Sequence, residues 1–196
     1  MIAIALCSRG DLCGTLSPIA IALMPFRYTP NMKKRLNRRL VVMLHNALRH
    51  FPELEGQTIT VGYTRTHLGA AIREQNLIRL RARKVTYNTI GHELTHLVQG
   101  LNGIPGGEKQ CDIWTLARSS LFCDDAPTYL QLPLQLRRHW PAYASEVHAL
   151  CRRAIEVRKT YRNYIRWLEQ ELAELSRRAT TGAKQLELVL DSSLKF

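Results

Sequence analysis

Apolar positions along the chain give the first outline. Residues 1–30 offer only short β-prone runs, Ile2–Leu6 and Ile19–Leu23, separated by glycine and proline. Between 31 and 51, Leu36, Leu40, Val41, Leu44, Leu48 and Phe51 recur at helical spacing. That pattern predicts an amphipathic helix with Asn31 as its N-cap. Lys33, Lys34, Arg35, Arg38 and Arg39 occupy its other side. The stretch TITVGYT (58–64) is β-branched and alternating, and NLIRLRA (76–82) alternates leucine and isoleucine with arginine. Both are expected to be strands, the second with one wet face.

Three helical segments follow. In NTIGHELTHLVQG (88–100), Ile90, Leu94, Leu97 and Val98 form a buried side, and Gly100 sits where a glycine ends a helix. The run NGIPGG is a strong turn. A second helix starts near Gly107, with Ile113, Leu116, Ala117 and Leu121 as its apolar side. From Trp140 to about Arg178, the positions Val147, Leu150, Ala154, Val157, Tyr161, Tyr164, Leu168 and Leu175 form a heptad-like stripe. It predicts one long helix, or two in line, packed on the domain or dimerising. Residues 179–196 are expected to be a tail or a last strand.

The expected class is α+β: a short mixed or antiparallel sheet, two central helices and a long C-terminal helix. The expected divisions are 1–139, 140–178 and 179–196.

Composition narrows the function classes. With 196 residues, 45% apolar and 22% charged, the chain has the profile of one globular domain and not of a disordered one. A net charge of +12 favours anionic partners, so nucleic acid bound through basic faces is one expectation. Solubility explains the same charge equally well. Five cysteines are present with no CxxC pair, which points to a reducing compartment. No stretch has the form of a signal peptide or a membrane span. The expected location is therefore the cytoplasm, with no membrane association; composition leaves the oligomeric state open.

The chemistry sits in the helix of residues 88–100. His92-Glu93-Leu94-Thr95-His96 matches H-E-x-x-H. Residues four apart share one helical face, so two imidazoles can hold one zinc ion. Glu93, beside the first histidine, can reach a water on that ion. The same spacing also arises in an ordinary helix with two hydrogen-bonded histidines. A catalytic zinc takes three protein ligands, so a third is needed. Glu108 and Asp112 lie on one face of the next helix. Glu108 can serve as the ligand, and Asp112 can accept the second ring N–H of a ligand histidine.

With these residues the chain resembles the gluzincin metallopeptidases, which combine an HExxH helix with a downstream E-x-x-x-D. Here those positions are His92, Glu93 and His96, then Glu108 and Asp112. The resemblance covers about residues 57–122, and the short spacing from His96 to Glu108 is most similar to the minimal members, the minigluzincins. It implies a small zincin-like domain whose residues 1–139 hold the catalytic machinery. It implies Zn2+ on His92, His96 and Glu108, a bond from Asp112 to His92, and Glu93 as general base in peptide-bond hydrolysis. It also implies a protein or peptide substrate added to an edge strand at 77–82, with Ile78 and Leu80 beside it. Many relatives use a Tyr, His or Arg to stabilise the oxyanion; the candidates here are Tyr129, His139 and Tyr143. SprT-like proteases associated with DNA, regulator-cleaving ImmA/IrrE-like peptidases, and latent or inactive zinc-binding proteins are the alternatives.

Overall fold

The structure, a computed structural model, describes residues 25–193, with side chains described to residue 181. The runs Ile2–Leu6 and Ile19–Leu23, and the cysteines Cys7 and Cys13, lie outside the described residues.

The fold is α+β. Four strands, β1 (Phe26–Tyr28), β2 (Ile59–Tyr63), β3 (Gly69–Ile72) and β4 (Leu77–Leu80), form one sheet in the order β1-β2-β4-β3. β1, β2 and β4 are mutually parallel, whereas β3 runs antiparallel to β4. The helices are α1 (Pro30–Lys33), α2 (Arg38–Leu48), α3 (Tyr87–Val98), α4 (Glu108–Arg118), α5 (Leu134–Arg138), α6 (Trp140–Arg158) and α7 (Tyr164–Ser193).

Ile59, Val61, Ile78 and Leu80 are fully buried, with α3 packed across β3 and β4. A single hydrophobic core runs from Phe26 through the sheet and α3 to Leu168 and Leu172 on α7. α4 packs against both α3 and α6. At the α3–α4 contact, a Cβ on Gly91 would come within 2.6 Å of Phe122 and 2.8 Å of Thr115. That close approach requires a glycine. Beside it, Thr95 Oγ1 lies 2.8 Å from Thr115 Oγ1.

Several expectations are corrected. The helix expected over 31–51 is two. Thr29 caps α1, Asn31 lies inside it, and Asn37 accepts from Leu40 N–H at 2.8 Å to begin α2. A side chain that captures a backbone N–H three residues on starts a new helix, whatever the apolar spacing on either side. The stripe over 140–178 is not one seam: the chain breaks at 159–163, and α6 and α7 pack against each other. Tyr161 lies in that break, 47% exposed. The final segment is neither tail nor strand as far as Ser193, because α7 continues through Gly182. One glycine costs only about 1 kcal/mol among good helix formers such as Ala183, Gln185 and Leu186.

β4 is not the edge strand. It is paired on both sides, Ile78 with Val61 and with Ala71. Ile78 and Leu80 are fully buried beneath α3, so neither can meet a substrate. The strand β3 takes the edge. No helix among the described residues is long and apolar enough to cross a membrane.

Candidate metal centre

α3 is buried on nearly every side, from Asn88 to Val98. Its start is held twice. Thr86 accepts from Thr89 N–H at 3.1 Å, and the Asp124 carboxylate accepts from Tyr87 N–H at 2.7 Å and Asn88 N–H at 2.8 Å. Its end is closed by Gly100, whose φ of +85° suits the expected glycine terminus. This frame fixes the register of His92, Glu93 and His96. The turn through Asn102 and Gly103, both at positive φ, returns the chain so that α4 begins at Glu108 beside α3.

Three donor atoms meet there. His92 Nε2 lies 3.1 Å from His96 Nε2 and 3.1 Å from Glu108 Oε2; His96 Nε2 lies 3.2 Å from the same oxygen. The hydrogen bonds behind them decide what these atoms can be. His92 Nδ1 lies 2.8 Å from Asp112 Oδ1. Asp112 is 1% exposed and also accepts from Tyr129 N–H at 2.6 Å and Leu130 N–H at 2.7 Å. His92 Nδ1 is thus the protonated nitrogen, and in the neutral ring its Nε2 is a bare lone pair. His96 Nδ1 faces Gln99 Oε1 at 2.8 Å, which leaves the His96 Nε2 bare as well.

Two lone pairs and a carboxylate oxygen, all within 3.2 Å, repel one another unless a proton or a metal cation lies between them. A triangle of this size is small enough for its three atoms to share one metal ion. Two imidazoles and a carboxylate are a donor set that fits a metal ion. The electrostatics agree. Burial by itself lowers the His92 pKa, but the Asp112 hydrogen bond and the charges of Asp112, Glu93 and Glu108 outweigh it and raise the value. The site favours positive charge.

His92, His96 and Cys111 also place ligand atoms within 4.8 Å of one another, close enough to share a metal ion. Cys111, however, turns its thiol to the His92 main-chain oxygen at 3.1 Å. Burial, with the nearby carboxylates, pushes that thiol well above its usual range. A thiol is a poor ligand until it loses its proton, so Glu108 is the stronger third donor.

Glu93 lies in the same cavity, 5% exposed. Burial pushes its carboxyl up to about 7, against the pull of His92 and with the push of Glu108. The cavity, about 590 Å³, is walled by β3 on one side and the two histidines on the other. Of the three oxyanion candidates, only Tyr129 lines it, its ring stacked on His92 at 5.5 Å. Burial and the surrounding carboxylates raise the Tyr129 hydroxyl, which keeps it a donor. His139 is exposed at the start of α6, and Tyr143 packs against the core; neither lines the cavity.

His67, Arg73 and Gln99 also line the cavity, and the sequence reading does not single them out. His67 and Arg73 flank β3, so their nearness follows from strand pairing and not from local spacing. Gln99 could have been found: it falls three residues after His96, one turn on along the same side. Comparison of the chain with family models, with curated proteins and with solved structures finds no match.

Proposed function

We propose that this chain is a zinc-dependent metallopeptidase, with His92, His96 and Glu108 as ligands and Glu93 as general base. The observation that carries this reading is the triangle of three ligand atoms, His92 Nε2, His96 Nε2 and Glu108 Oε2, within 3.2 Å of one another, with the buried Glu93 carboxyl beside it. Zinc, when bound there, supplies Lewis acidity that acidifies water and polarises a carbonyl.

The chain's own residues supply the rest. Glu93, held near 7, takes a proton from water at neutral pH and returns it to the leaving amine. Among the described residues, β3 leaves one backbone edge unpaired along the cavity, so an extended peptide can add to it through main-chain hydrogen bonds. Tyr129 lines the same space, and its hydroxyl is the candidate to donate to the developing oxyanion.

The test pairs zinc analysis with a casein-type cleavage assay. The wild-type chain is expected to hold one zinc and to cleave. Glu93→Gln is expected to hold the same zinc and to lose cleavage by at least about a hundredfold. Undiminished cleavage by Glu93→Gln removes Glu93 from the role, and a wild-type chain without zinc removes the reading.

A further inference from the structure

Gln99 closes α3 as its C-terminal cap, with φ −58° and ψ 135°, and is 7% exposed. Both ends of its side chain are engaged. Oε1 lies 2.8 Å from His96 Nδ1, and Nε2 lies 2.9 Å from the Gly107 main-chain oxygen. A carbonyl oxygen only accepts, so the amide nitrogen must face Gly107 and the amide oxygen must face His96. The amide has one orientation that satisfies both partners. That orientation puts the His96 proton on Nδ1 and leaves Nε2 to face His92 and Glu108.

The second bond has its own consequence. Gly107 directly precedes Glu108, the first residue of α4. One side chain thereby ties the second histidine to the backbone that launches the carboxylate. Arg73 in turn donates to the Gln99 main-chain oxygen, which anchors the Gln99 backbone to the turn after β3. His92 has its partner in Asp112; His96 has a neutral amide in the equivalent place.

We propose that Gln99 is a positioning residue of the metal centre: it selects the His96 tautomer and sets the spacing between His96 and Glu108. The inference rests on the metal-centre reading above. Partners of this kind are worth about 10–100-fold in metal affinity.

The experiment measures the zinc Kd by chelator competition for wild type, Gln99→Leu and Gln99→Glu. Gln99→Leu keeps the volume and loses both bonds; its affinity is expected to fall about 10–100-fold. Gln99→Glu keeps an acceptor towards His96 Nδ1 but loses the donor to Gly107, and is expected to regain part of that loss. Equal affinity in Gln99→Leu and wild type overturns the proposal. So does a Gln99→Glu variant as weak as Gln99→Leu, because restoring the acceptor towards His96 Nδ1 then restores nothing. A wild-type chain that binds no zinc overturns the metal centre itself, a separate failure. A second measurement needs no variant: long-range proton–nitrogen NMR of the metal-free wild type at pH 8. The expected result is His96 as the Nδ1–H tautomer, and the Nε2–H tautomer overturns the role.

Discussion

Gly69 of β3 and Glu93 of α3 meet across the cleft: a Cβ on Gly69 would lie 2.7 Å from both Cγ and Cδ of Glu93. No real Cβ tolerates that approach, and the neighbour it meets is the Glu93 side chain. The edge strand and the proposed base therefore share one space, which only a glycine leaves open. Gly69→Ala is expected to push Glu93 aside without touching the ligands. Zinc content should stay at the wild-type value while kcat/KM falls about a hundredfold, the order expected for a 1 Å misplacement. Parallel metal analysis and kinetics check both halves.

Asp112 accepts three hydrogen bonds from within the core. Asp112→Ala leaves two backbone N–H groups and the His92 ring without their acceptor, at about 1–3 kcal/mol for each unsatisfied group. Denaturant unfolding should show a loss of several kcal/mol. Zinc affinity of whatever folds should drop about 10–100-fold as the His92 ring loses its orientation. Stability close to wild type would contradict the buried bonding pattern.

Glu93 gives the metal-free protein a pH signature. Its folded pKa, about 7, stands above the ordinary carboxylate value. The folded state therefore holds the proton more tightly than the unfolded one. Stability from this group is fully present below about 4.5 and is lost as pH rises to about 7, by up to ~3 kcal/mol. Glu93→Gln removes that loss. Thermal unfolding of the metal-free proteins should show Glu93→Gln more stable than wild type at pH 8, with the gap closing towards pH 5. A gap that is the same at both pH values would contradict a raised Glu93.

Asp124 acts on α3 from a distant part of the chain. Its carboxylate accepts from Tyr87 N–H and Asn88 N–H, in the manner of a helix cap supplied from outside the helix. Asp124→Ala should cost about 1–2 kcal/mol. Hydrogen exchange should localise the loss to the first turn of α3, and exchange there at the wild-type rate would dismiss the cap.

The parts of this fold that could be seen in the sequence are those whose cause is local. The helix carrying His92 and His96 was legible because Ile90, Leu94, Leu97 and Val98 repeat at helical spacing and Gly100 ends it. Glu108 and Asp112 were legible because one turn separates them on a helix that follows a tight turn. β3 was not. Gly69, Ala70 and Ala71 have little strand propensity, and only pairing with β4 and the nearness of Glu93 put them in a strand. The order of β3 and β4 was hidden for the same reason: alternation marks a strand but not its neighbours. The split between α1 and α2 turned on Asn37, a single polar side chain that periodicity does not weigh. The break at 159–163 was masked because the two halves of the stripe face each other and look continuous when read in line.

The ligand triangle draws on a short span, with His92 and Glu108 only sixteen positions apart. Closing a loop of that length costs about 2.5 kcal/mol beyond a constant. The sheet, by contrast, must bring Phe26 to Ile59 before β1 can pair. Proximity along the chain thus favours α3, its turn and α4 as an early-folding hairpin. A cation captured by that hairpin would be a nucleation contact, gathered while β1 was still finding its partner.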